Sequence, residues 1–274
     1  MTSPEPTPTC TTATLLGSDE PLCAAYDVAL LDLDGVCFAG EARVPYAADN
    51  VNAARKTGMH LSFVTNNASR APQTVVDKLA ANDIVAAPSE VFSAAMDAAA
   101  MLAEHVDPGS MVLVVGGEGV RQALLDEGFQ VTSSAQDEPV AVVQGWDPAV
   151  DWALLSEGVY AINAGALHVA TNLDATLPTE RGFALGNGSL VAAIVNASGQ
   201  EPLAGGKPFP GIYTRALKRA GGTKPLAIGD RLNTDHVGAR AAGIPGLHVL
   251  TGVSGAREVI TAPATERPSF LHTD

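Results

Sequence analysis

Val28-Ala-Leu-Leu-Asp32-Leu-Asp34-Gly35 is an apolar run that ends in two carboxylates and a glycine. It is too short for a buried helix. It suits a central parallel strand, which is covered on both faces and needs no polar alternation. The pattern repeats outward from there. A helical stretch over Ala47–Thr57 stops at Gly58, and the next strand, Leu61–Thr65, runs into Asn66-Asn67. Helical patterns follow at Pro72–Asn82 and Ser89–His105, and a third strand, Met111–Val115, ends in Gly116-Gly117-Glu118-Gly119. Helix Val120–Glu127, strand Val140–Gln144, helix Asp151–Ala164 and strand His168–Thr171 come next, leading into a polar loop at Asn172–Gly188. Helix Ser189–Ala197, a Gly-rich turn at Gly205–Pro208 and helix Gly211–Ala220 follow. Strand Pro225–Ile228 with Gly229-Asp230 behind it, helix His236–Ala242 and strand Gly246–Leu250 are the last clear units. Strands alternating with helices predict an α/β protein with parallel sheets.

The chain has 274 residues, room for one large or two moderate domains at ~150 residues each. With 46% hydrophobic and 17% charged residues its composition is globular, and a core of this size needs no disulfide or metal staple. The formal charge of −14 argues against nucleic acid or an anionic membrane as partner, since either demands clustered Lys and Arg. Cys10, Cys23 and Cys37 form no C-x-x-C pair, which is the usage of reduced thiols. No Lys or Arg precedes Arg43, so a signal peptide's charged n-region is missing, and no apolar stretch approaches the ~18 residues of a membrane span. A cytoplasmic location is the expectation. Residues 1–24, rich in Pro, Thr and Ser, read as a flexible leader.

In open α/β sheets ligands bind beyond the carboxyl ends of the strands. Those ends carry Asp32 and Asp34, then Thr65 and Asn66, then Asp230 with Asp235 five residues on, while Lys207 sits in a turn before a helix. Clustered carboxylates repel unless a cation compensates, and a hard cation such as Mg²⁺ takes oxygen ligands. A lysine and a hydroxyl suit the oxygens of a phosphoryl group. That leaves one carboxylate as a nucleophile and another as acid and base. A lone D-x-D-G is more often the plain end of a strand. The later Gly-Asp and the lysine, falling where the same sheet edge expects them, weigh against that reading here.

Four strings in order, Asp32-Leu-Asp34-Gly35-Val36, Phe63-Val-Thr65-Asn66-Asn67-Ala-Ser69-Arg70, Gly206-Lys207-Pro208 and Gly229-Asp230-Arg231-Leu232-Asn233-Thr234-Asp235, resemble the motifs of the haloacid dehalogenase superfamily. More narrowly they resemble its phosphatases with a type IIA cap, over about residues 27–254. The resemblance implies a Rossmann-like, doubly wound parallel-sheet core at 25–107 and 204–274, with an α/β cap inserted at 108–203. The spacing agrees, since 142 residues separate Thr65 from Lys207 and only 23 separate Lys207 from Asp230. It also implies that Asp32 attacks phosphorus and becomes the phospho-aspartate. Asp34 would protonate the leaving oxygen and then deprotonate water, and Thr65 and Lys207 would hold the phosphoryl oxygens. Mg²⁺ would sit among the Asp32 carboxylate, the Asp34 backbone carbonyl and Asp230, with Asp235 as a further acidic ligand. Asn66 would help position the phosphoryl end, and Asn172, Asp174 and Arg181 are candidate leaving-group contacts, against the alternative that they cap a loop.

The implied activity is Mg²⁺-dependent hydrolysis of a small phosphorylated metabolite, first a sugar or glycerol phosphate or phosphoglycolate. A nucleoside monophosphate or pyridoxal phosphate stands second. A phosphomutase, which shares the Asp pair, and a non-catalytic phosphometabolite sensor are the rivals. Cap-mediated dimers occur in the family, so a homodimer stays among the options. The sequence departs from the family at Cys37, where a larger aliphatic is usual, and at His236, where an isoleucine is usual, and the family continues with a closing strand and helix where this chain reaches Phe270–Asp274. Other signals fall away. Gly117-Glu-Gly119 has Gln122 where a dinucleotide fingerprint needs its third glycine, and Pro208 stands where a P-loop needs Ser or Thr. Gly252-Val-Ser254-Gly-Ala256 misses the last glycine of a nucleophile elbow, and the histidines show no metal-ligand spacing.

Overall fold

The computed structural model describes residues 15–179 and 181–273. They divide into two units: the first runs to Val64 and takes in Asp77–Glu90 and the chain from Pro208, and the second is Thr65–Val76 with Val91–Lys207. Among the described residues no helix is long and apolar enough to cross a membrane.

The first unit is built on the strand Val28–Leu31, all four residues of which are buried. It pairs in parallel with His60–Thr65 on one side, Leu31 beside Phe63, and with Pro225–Gly229 on the other, Leu31 beside Ile228. Gly246–Val249 and then Phe270–His272 extend the sheet outward from Pro225–Gly229, again in parallel. The connection after Val28–Leu31 runs to one side, to His60–Thr65, and the one after Pro225–Gly229 runs to the other, to Gly246–Val249, so a crevice lies between these two strands at their carboxyl ends. Helix Pro210–Ala220 begins on proline, which lacks the N–H that a first helical turn cannot satisfy, and buries Ile212, Tyr213 and Ala216. Helix Ala47–Lys56 is tied down by Arg55, whose guanidinium meets Glu90 at 2.6 and 2.9 Å.

The second unit has its own parallel sheet, in the order Leu203–Ala204, Leu167–Ala170, Ala141–Gln144, Met111–Val115, Gln130–Thr132. Successive residues of Met111–Val115 serve opposite faces. Val112 and Val114 pack with Ala98, Leu102, Val120 and Leu124, whereas Leu113 and Val115 pack with Ala161, Ile162 and Ile194. Helices on both faces explain why these strands read as unbroken apolar runs.

Several elements differ from expectation. The helix expected over Ser89–His105 is a short 3-10 turn at Pro88–Glu90, a strand at Val91–Ser93 and a helix only at Ala94–Leu102. Val91 and Phe92 are strand formers, and the Ser93 hydroxyl accepts the Met96 N–H as helix cap. The polar loop at Asn172–Gly188 contains an antiparallel hairpin, Thr176–Thr179 with Gly182–Leu185, whose side chains are largely exposed and so show no burial period. A smaller hairpin, Phe38–Ala39 with Ala42–Arg43, follows the first strand. Past Leu250 the chain does form a helix, Ala256–Thr261, and an edge strand, Phe270–His272, so the C-terminal segment is integrated in the sheet. Of the stretch read as leader, Leu15 packs beside Leu232, Val259 and Ala262, and Leu16 N–H donates to the Ser269 carbonyl. Cys10 lies outside the described residues.

Candidate active site

The first unit brings three carboxylates together. Asp32 directly follows Val28–Leu31 and its N–H donates to the Ile228 carbonyl, which holds it at the strand end. Asp230 follows Gly229, and Asp235 lies in a π-helical turn, Leu232–His236. One carboxylate oxygen from each of Asp32, Asp230 and Asp235 falls within 4.8 Å of the others. Asp230 is 0% exposed, its Oδ2 accepts the Val253 N–H at 2.7 Å, and its carbonyl accepts the Ser254 N–H. Arg231 N–H donates to Asp235 Oδ2 at 3.1 Å. A Cβ at Gly35 would lie 2.4 Å from Asp230 Oδ2 and one at Gly252 would lie 1.9 Å from it, so both glycines are needed for the carboxylate to sit there.

Three like charges this close repel unless a cation lies among them. The donor set is three carboxylates, all hard oxygen, and two of its members are buried. That suits Mg²⁺, which is held by few carboxylates and by water. Asp34 is exposed and lies outside this group. Its Oδ1 accepts the Gly40 N–H, at 3.3 Å, from the turn of the small hairpin. The Cys37 thiol donates to the Asp32 carbonyl at 3.4 Å, so this family departure touches the backbone of the site.

The second unit assembles the other expected residues. Thr65 ends its strand, and its Oγ1 accepts the Asn67 N–H. The Asn66 amide clamps Lys207: Oδ1 accepts the Lys207 N–H at 2.7 Å and Nδ2 donates to the Lys207 carbonyl at 3.0 Å. Asn66 Nδ2 also donates to Asp174 Oδ2, the Asn66 carbonyl accepts from Asn172 Nδ2, and Asn172 Oδ1 accepts the Asp174 N–H. Asn66, Asn172, Asp174 and the Lys207 backbone therefore form one network. Arg181 stands apart from it, exposed at the hairpin turn, with its N–H on Thr179 Oγ1. Lys207 is only 3% exposed. The turn before it needs glycine at 206, where φ is +74° and a Cβ would meet the Thr171 carbonyl at 2.6 Å.

Sequence reading assigns no role to two residues of this scaffold. Asp97 is 0% exposed and its Oδ2 accepts the Gly206 N–H at 2.8 Å, bracing the lysine turn. The available signal was a lone charge within an alanine-rich helix, Ala94–Leu102. Asn187 is buried and donates to the Asn172 carbonyl at 2.7 Å. Nearby in the same unit His168 is buried with Nε2 3.1 Å from Gln144 Oε1, and burial pushes its imidazole below its ordinary value.

The chain is similar to known proteins over most of its length. Residues 29–130 match the model for haloacid dehalogenase-like hydrolases, and residues 204–274 match a second model for HAD-hydrolase-like proteins. The chain is 41% identical over 249 residues to a D-glycerol 3-phosphate phosphatase of Mycobacterium tuberculosis, covering 91% of this chain and 70% of that protein. It is 36% identical to a 5'-nucleotidase of Bacillus subtilis, over 84% of this chain and 89% of the other. A crystal structure of the Mycobacterium tuberculosis glycerol phosphate phosphatase in complex with magnesium superimposes with a TM-score of 0.87 at 40% identity, over 93% of this chain and 77% of that one.

Proposed function

Since this chain belongs to the haloacid dehalogenase-like hydrolases, we propose that it is a Mg²⁺-dependent phosphatase of small phosphate monoesters, with glycerol phosphate first among its substrates. The observation that carries the reading is the convergence of Asp32, Asp230 and Asp235 at the strand ends. Support for the substrate comes from the 41% identity to a glycerol phosphate phosphatase. The likeness to a 5'-nucleotidase keeps a nucleoside monophosphate as the second reading.

In the proposed mechanism a carboxylate oxygen of Asp32 attacks phosphorus in line, forming an acyl phosphate as the ester P–O bond breaks. The Asp34 carboxyl gives its proton to the leaving oxygen, because an alkoxide is a poor leaving group. Water then attacks the phospho-aspartate, Asp34 takes its proton, and inorganic phosphate leaves with Asp32 restored. Thr65 and Lys207 hold the phosphoryl oxygens, the lysine pinned by Asn66 and the braced Gly206 turn. Asp32, Asp230, Asp235 and the Asp34 carbonyl would hold Mg²⁺, which would offset the charge of the carboxylates and of the phosphate. The inserted segment 108–203 selects the leaving group and excludes water, with Asp174 and Arg181 as candidate contacts.

Phosphate release from a panel of glycerol, glycolate, sugar, nucleotide, pyridoxal and p-nitrophenyl phosphates, in Mg²⁺ and in EDTA, tests this. Release confined to Mg²⁺ and fastest with glycerol phosphate is expected. A folded, Mg²⁺-binding protein that frees no phosphate from any ester would instead be a mutase or a sensor.

A further inference from the structure

Two buried histidines stand behind the carboxylates and have no part in the chemistry above. His236 is 2% exposed and closes the turn that carries Asp235, and His248 is 0% exposed in the strand Gly246–Val249. His248 Nε2 lies 2.9 Å from the Ser254 carbonyl oxygen, and His236 Nε2 lies 3.0 Å from His248 Nδ1. A carbonyl only accepts, so His248 Nε2 carries a proton and donates it. In that tautomer of the neutral ring Nδ1 accepts, and His236 Nε2–H is the donor.

The chain of bonds therefore starts at the Asp235 turn and ends on the loop that grips Asp230. Ser254 N–H and Val253 N–H both donate to Asp230, to its carbonyl and its Oδ2 respectively, and Leu232 N–H reaches Ser254 Oγ at 3.4 Å. Gly246 leaves the room this needs, since a Cβ there would lie 2.4 Å from His236 Nδ1. Aliphatic side chains at 236 and 248 would fill the same space without direction. The imidazole pair sets a distance between the two segments.

We propose that the His236–His248 pair is a positioning device that fixes the spacing of the Asp230 and Asp235 carboxylates and thereby sets the affinity for Mg²⁺. Mg²⁺ demands near-octahedral geometry with short oxygen bonds, so a small change in ligand spacing weakens it more than it weakens a larger cation. Groups that orient metal ligands typically contribute ~10–100-fold in metal affinity. The inference rests on the reading of Asp32, Asp230 and Asp235 as the Mg²⁺ site.

The test is a Mg²⁺ titration of the full chain, followed both by thermal midpoint without substrate and by phosphate release. In His248→Leu the Mg²⁺ concentration for half of the thermal shift, and for half-maximal release, should rise about tenfold. KM for the ester at saturating Mg²⁺ should stay within about twofold, because the ester's own contacts are untouched. His248→Gln keeps an N–H for the Ser254 carbonyl and should recover most of the affinity. If His248→Leu does not fold, His236→Leu against His236→Gln poses the same question from the other ring. Wild-type Mg²⁺ dependence in the Leu variant, or equal loss in the Leu and Gln variants, overturns the proposal. A wild-type protein whose thermal midpoint ignores Mg²⁺ overturns the metal-site reading beneath it.

Discussion

Glycines leave room for two members of the carboxylate cluster: an added Cβ at Gly35 or Gly252 would meet the Asp230 carboxylate, and one at Gly229 would meet the Asp235 side chain. Asp32 is the proposed nucleophile, and Asn is nearly its isostere but cannot attack phosphorus as a carboxylate. Asp32→Asn should abolish phosphate release and leave the circular dichroism spectrum and thermal midpoint close to wild type; retained turnover would remove the covalent route. Gly252 makes a sharper steric case. A methyl group there would press within 1.9 Å of Asp230 Oδ2, so Gly252→Ala should displace that carboxylate, lose Mg²⁺-dependent release and destabilise by ~1–3 kcal/mol. Gly255, where an added Cβ meets nothing within 4 Å, provides the control, and Gly255→Ala should leave release unchanged and cost ~0.5–1 kcal/mol through the weaker N-cap of Ala256–Thr261. That Asp32, Thr65 and Asp230 fall at strand ends and Lys207 in a turn was legible in the sequence, because strand ends and turn residues announce themselves locally. The glycines' roles were legible only as turns, since the atoms that forbid their side chains come from elsewhere in the chain.

At the scale of the element, the lysine turn shows how one helix serves another segment's geometry. Helix Ala94–Leu102 points Asp97 at the Gly206 N–H across 109 positions of sequence. Asp97→Ala strands that buried N–H, so it should cost ~1–3 kcal/mol in a urea denaturation. It should also raise KM through a misplaced Lys207, and Asp97→Asn, which keeps an acceptor oxygen, should recover most of both losses. A raised KM in Asp97→Asn equal to that in Asp97→Ala would show that the carboxylate's charge, rather than its acceptor, is what matters. The hairpin Thr176–Leu185 and the short strand Val91–Ser93 mark the opposite limit of local reading. An exposed hairpin has no buried face to impose a period, and three strand residues ahead of an alanine-rich helix are absorbed into the helical pattern.

At the scale of the whole molecule, stability should depend on pH through groups that folding has shifted. Burial holds His168 below its ordinary value near 6.5. Above that value neither state binds the proton, so the full stability is present. As pH falls below it the unfolded chain takes up the proton and the folded chain does not, so stability drops until pH reaches the lowered folded value. Asp27 is shifted the same way, chiefly by the Lys224 N–H, which as a carboxylate places its loss of stability at more acidic pH, below its ordinary 3.8. The thermal midpoint should therefore decline between pH 7 and 5, and His168→Gln should flatten that decline; an unchanged slope would assign it to other groups. The α/β class, the parallel strands and the order of the acids along them follow from local sequence, because burial on two faces writes unbroken apolar runs and strand ends carry their own turn chemistry. Which polar groups meet is a matter of packing: Asn66 with Lys207 across 141 positions, Asp97 with Gly206, and His236 with His248. Such pairings depend on which strands lie side by side and how far their ends protrude, and no local period records that.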